Sequence, residues 1–147
     1  MKTLSFSSSI KAPVATVWST MLDHPTYEQW TAAFSEGSTY TGSRDQGAEI
    51  RFVDPSGQGM IAEIAENRLH SFISIHHLGE LQIDPKTKKI TEYAYDGAGY
   101  ENYSFSKETD DTTLLAVELT NIPDEYVAMF EEMRPEALAA LKTLCEH

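Results

Sequence analysis

The placement of helical periodicity constrains this chain more than any other feature. A short amphipathic pair occupies residues 14–34, one long amphipathic stretch occupies residues 124–146, and most of what lies between alternates as strands do. Consecutive hairpins make an antiparallel sheet with one apolar face to cover. A single long helix laid across such a face tends to leave a cavity beneath it. The pattern therefore predicts an α+β fold: a curved antiparallel sheet of six to seven strands around a long C-terminal helix, with two short helices after the first strand. At 147 residues the chain is one domain, able to bury roughly 70% of the surface its unfolded form exposes.

Leu4, Phe6, Ser8 and Ile10 alternate with polar neighbours, which predicts a half-buried strand over residues 3–10. Pro13 suits the opening of a helix whose apolar face is Val14, Val17, Trp18, Met21 and Leu22. Asp23-His24-Pro25 stops it and starts a second, with Tyr27, Trp30 and Phe34 as its stripe. Turn-forming clusters at residues 42–47 and 54–57 set off strands near 37–42, 48–53 and 59–66. Another strand is expected over 70–78, then a long excursion over 79–99 with a short strand around 90–95. A last hairpin pairs 101–107 with 112–120. In the final helix Tyr126, Met129, Phe130, Met133, Ala137, Leu141 and Leu144 share a face. Pro135 lies within it and predicts a kink or a break, because proline removes one intrahelical hydrogen bond.

Charge narrows the partners. Eleven Lys and Arg face 23 Asp and Glu, a net charge of -12, which opposes phosphate backbones and anionic membranes. No nucleic acid and no membrane insertion are expected, since no stretch reaches the ~20 apolar residues of a span. The first residues have one Lys and an alternating pattern, unlike the unbroken apolar run of a signal peptide. The lone Cys145 has no cysteine to pair with, so a reducing, cytoplasmic compartment is the expectation.

His76-His77 invites a metal or acid/base reading, but adjacent strand residues point to opposite faces and cannot converge on one ion. His77 shares parity with Ile73 and Ile75, and so faces inward. Glu101 shares parity with Tyr103 and Phe105, which aims its carboxylate at the cavity mouth. A buried carboxylate needs a partner, and His77, Tyr103 or a ligand amine are the candidates. Trp30, Phe34, Phe52, Met60, Tyr103, Phe105, Met129 and Met133 form an aromatic and thioether set. These are core-forming types first, with a subset near the mouth expected to line a pocket. The candidate ligand-binding residues are thus Trp30, Phe34, Phe52, Met60, His77, Glu101, Tyr103, Met129 and Met133. No Ser/His/Asp or Cys/His order is present to define a catalytic residue, and no convergent ligand set predicts a metal or cofactor.

Several local motifs occur in a familiar order. Ala12-Pro13 with Val17-Trp18, Tyr27 with Trp30 and Phe34, the hairpin Glu101-Asn102-Tyr103-Ser104-Phe105 with Thr112-Thr113-Leu114, and the tail Pro135-Glu136-Ala137-Leu138 with Leu141-Lys142 run along nearly the whole chain. Together they resemble the START-like, helix-grip superfamily often labelled SRPBCC. The hairpin is similar to that of the branch related to the Aha-type activator of the ninety-kilodalton heat-shock protein's ATPase. Where that family's tail carries Trp before its proline, this chain has Met133-Arg134. The resemblance implies a cavity between helix and sheet, and it leaves three functions open. One is a non-enzymatic, cofactor-free carrier or sensor of a small hydrophobic or amphipathic ligand. Another is an Aha-like co-chaperone module docking on a larger protein. The last is a cyclase- or hydrolase-type enzyme using Glu101, Tyr103 or His77 in the same cavity.

Overall fold

The computed structural model describes residues 2–33, 36–94 and 99–146. Strand β1 (Lys2–Ile10) leads into helices α1 (Val14–Leu22) and α2 (His24–Trp30), the latter followed by one 3-10 turn over Thr31–Ala33. Strands β2 (Thr39–Gly42), β3 (Glu49–Val53), β4 (Gly59–Arg68) and β5 (Phe72–Ile83) then run as successive hairpins. They are followed by β6 (Ile90–Ala94), β7 (Tyr100–Thr109), β8 (Thr112–Ile122) and helix α3 (Asp124–Cys145). Among the described residues every strand pairing is antiparallel, in the order β1-β8-β7-β5-β4-β3-β2 with β6 beside β5.

The sheet has eight strands where six to seven were expected, and the reason lies in β5. Its first half pairs with β7 through Phe72–His76, whereas its second half pairs with β6 through Gly79–Ile83. Since β4 covers the other edge along most of that length, β6 and β7 share one edge of β5 end to end. The segment read as an irregular excursion is therefore an extension of the sheet, and β5 runs past residue 78 to Ile83. Gly79 permits the close approach: a Cβ there would lie 2.3 Å from the Tyr93 carbonyl oxygen.

Antiparallel register carries side-chain direction across the sheet, because directly paired residues face the same side. Ile64, Ile75, Glu101, Leu119 and Leu4 form one cross-strand row, and Ile73, Tyr103, Val117 and Phe6 the next. Apart from the half-buried Phe6 these are all buried, which identifies their side as the core face.

Helix α3 passes through Pro135 as one 22-residue element, so of the kink or break expected there the break does not occur. Proline in a helix interior costs about 3 kcal/mol and orphans the carbonyl four residues back. Here Glu131 and Pro135 are both exposed, so water reaches the orphaned group. Burial of Arg134, Ala137, Leu138, Leu141 and Cys145 holds the following turns down. The C-terminal end is tied to β1: Lys142 Nζ donates to the Ser9 carbonyl at 2.7 Å, and the Lys11 amide donates to Glu146 at 2.9 Å. The first half of α3 is held less closely, and Tyr126, expected on the buried face, is 47% exposed.

Candidate functional site

A cavity of about 550 Å³ lies between the core face of the sheet, α2 and the first half of α3. Its size falls within the ~300–1,000 Å³ of small-molecule pockets. Ile50, Ile64, Ile73 and Ile75 make its sheet side, Tyr27 and Trp30 come from α2, and Met129, Phe130 and Met133 hang over it from α3. Exposed Gln58, Gln82 and Met129 border it where it meets solvent.

Of the residues singled out in the sequence, Trp30, Phe52, Met60, Glu101, Tyr103, Met129 and Met133 border this cavity. Phe34 lies outside the described residues. His77 faces the same side, opposite Ala62, but stands behind the lining, where it contacts Glu101. His76 points the other way and stacks on Tyr100 with ring centroids 4.4 Å apart, as strand alternation requires.

The polar centre is built around Glu101. Register puts its carboxylate between Ile75 and Leu119, an apolar setting that penalises charge. Arg134 reaches down from α3 and donates from one terminal nitrogen to Glu101 at 2.8 Å and from the other to the Tyr103 hydroxyl at 2.7 Å. The Tyr103 hydroxyl donates in turn to Glu101, and His77 Nε2 lies 3.0 Å from the same carboxylate. The side chains of Arg134 and Glu101 are 8% and 11% exposed, so the ion pair is desolvated.

These contacts decide the electrostatics. Burial pushes the Glu101 carboxyl up, but the Arg134 guanidinium and the hydrogen bonds from His77 and Tyr103 outweigh it and hold the group well below the usual carboxylate range. Burial pushes the Tyr103 hydroxyl well above its ordinary value, and Glu101 adds to that despite Arg134. A carboxylate gripped by three donors is a weak base, and a phenol with so high a pKa is a weak acid. The constellation suits positioning better than proton transfer.

A pH dependence follows. Because the folded-state pKa of Glu101 is depressed, its contribution to stability is complete above the unfolded value of about 4.3 and is lost as pH falls toward the folded one. Thermal melts of wild type and Glu101→Gln are expected to converge as pH is lowered from about 6 to about 3. A constant difference across that range would contradict the assignment.

Arg134 is the residue that the sequence reading missed. Its signal was present: it follows Phe130 by four positions and precedes Leu138 by four, a cation on an apolar helical stripe. The expected partners of Glu101, His77 and Tyr103, are both in contact with it. The place imagined for a ligand amine is taken by the protein's own guanidinium. Among the described residues no three His, Cys, Asp or Glu side chains gather as metal ligands would, and no helix is long and apolar enough to cross a membrane.

No protein-family model matches this sequence, and no curated protein sequence does. Solved structures do match. Aha1 from Colwellia psychrerythraea, solved as a dimer, superposes with a TM-score of 0.73 at 13% identity, covering 99% of this chain and 97% of its own. CalU16 from Micromonospora echinospora superposes with 0.68 at 17% identity, covering 97% of this chain and 73% of its own. DynU16, from the dynemicin biosynthetic locus, superposes with 0.71 at 16% identity over 97% of this chain, which spans 46% of DynU16. The fold is helix-grip. At such identities the likeness is one of fold, and the helix-grip fold hosts many functions. Function must be argued from the cavity and from the ion pair that closes its inner end.

Proposed function

We propose that this protein binds a small apolar or amphipathic molecule in the cavity between sheet and α3, acting as a carrier or sensor without chemistry of its own. The observation that carries this reading is a cavity of about 550 Å³ with largely apolar walls, in which the buried charges of Glu101 and Arg134 neutralise each other. Trp30, Phe52, Met60, Met129 and Met133 supply the apolar contact surface, and the thioethers adapt to irregular shapes. Glu101, Tyr103 and Arg134 fix the polar end. The enzyme reading is weaker, since Glu101 and Tyr103 are both tuned away from proton transfer near neutral pH.

Native mass spectrometry of protein purified from its own host tests the proposal. A discrete small-molecule adduct that is lost on denaturation is the expected result. A bare polypeptide mass, together with failure to bind any apolar probe, would overturn it. The second reading is a module that docks on a larger protein. It draws support from exposed Leu78 and Tyr93, which flank a shallow depression with Ile61 on the β4–β5–β6 extension.

A further inference from the structure

We propose that the Tyr27 hydroxyl is the specificity-determining anchor of the cavity, and that the molecule bound there is uncharged and carries a carbonyl or hydroxyl oxygen that accepts its hydrogen bond. This deepens the ligand-binding reading above and rests on it.

The buried polar side chains that border the cavity are engaged within the protein. Trp30 Nε1 donates to the Met21 carbonyl at 3.0 Å, Thr31 to the Tyr27 carbonyl at 2.6 Å, and the Tyr40 hydroxyl to the Leu22 carbonyl. Arg44 is paired with Asp23, and Asp54 accepts from Ser56. Glu101, Tyr103 and Arg134 are hydrogen-bonded to one another. The Tyr27 hydroxyl has no hydrogen-bond partner among the described residues, and its half-buried side chain borders the cavity. A hydroxyl on the cavity wall with no partner in the protein is free to donate to an acceptor that fills the cavity.

Aromatic packing holds the Tyr27 ring in place. It meets Trp30 edge-on at 5.6 Å and Tyr40 edge-on at 4.9 Å, with Phe52 at 6.2 Å, so the hydroxyl is presented by a rigid wall. Burial, and next the nearby charge of Glu101, push its pKa well above the ordinary tyrosine value, so it stays protonated and is able to donate.

The same surroundings set the ligand's charge. A carboxylate would be buried close to Glu101, with Asp54 and Glu80 also bordering the cavity. An ammonium would find Glu101 already holding its donors. Burying an unpaired charge is prohibitive, which leaves a neutral acceptor such as a ketone or a phenol.

The test uses two fluorescent probes. Prodan is a naphthalene with a dimethylamino group and a propionyl ketone, and dimethylaminonaphthalene is the same ring without the ketone. Each is titrated into wild type and Tyr27→Phe, beside thermal melts. Expected are a loss of prodan affinity of about three- to tenfold in the variant, a blue shift of the bound prodan emission, and unchanged dimethylaminonaphthalene affinity and melting temperature. Equal prodan affinity in both forms, or equal losses for both probes, would overturn the role of Tyr27 while leaving the cavity as a binding site. A variant that melts well below wild type would assign the hydroxyl to structure and overturn it too. If neither probe binds wild type, the ligand-binding reading fails, and the anchor with it.

Discussion

Glu101→Gln is expected to destabilise the protein by about 3–5 kcal/mol, far more than the loss of a surface carboxylate. Glutamine preserves shape but leaves the Arg134 guanidinium buried without its counter-charge. Arg134→Met should cost a similar amount by stranding Glu101, and in that variant burial would raise the Glu101 pKa instead of Arg134 lowering it. The double variant removes both charges at once and is expected to recover most of the loss, because a buried ion pair is often no more stabilising than a neutral pair of similar volume. Thermal or urea unfolding of the four proteins measures the coupling directly. Single-variant losses of under about 1 kcal/mol would show that the pair is screened like a surface salt bridge. The cavity would then be far wetter at its inner end than the burial of these side chains implies.

Met129→Trp is expected to abolish binding of apolar probes while leaving the fold intact. Met129 borders the cavity from the exposed half of α3 and is itself 43% exposed, so a larger ring has room to turn across the mouth. In a filled core the same substitution would cost roughly 1–3 kcal/mol through overpacking. Probe titration and thermal melts run side by side separate the two cases. Retained probe binding with a sharply lower melting temperature would make Met129 an ordinary packing residue and would place the ligand elsewhere.

Much of this molecule is legible in its residue pattern because periodicity is a local property. The alternation of Leu4, Phe6, Ser8 and Ile10 specifies a strand face, and the spacing of Val14, Val17, Trp18, Met21 and Leu22 specifies a helix face; neither requires knowledge of a distant partner. Parity also carried the inward orientation of Glu101 and Tyr103, and the opposition of His76 and His77, from sequence alone. Hairpin turns kept neighbouring strands adjacent, so the order of elements implied the sheet.

Tertiary structure decided what depends on where one element lies over another. The extension of β5 beyond residue 78 requires β6 to find the same edge as β7, and polar, charged residues such as Lys86, Lys88 and Glu92 hide that pairing from any apolar count. Continuity of α3 through Pro135 depends on the burial of the turns that follow and on an exposed face where water meets the orphaned carbonyl. Arg134 stood in the sequence only as a departure from the family's tail until α3 brought it against β7, and Tyr27 read as one member of a helical stripe until the cavity opened beside it. A sequence determines which face a side chain takes within its own element, since that follows from backbone geometry. Which charge it meets across 33 residues of chain is set only when hydrophobic burial fixes the elements against each other and the desolvated groups have to pair.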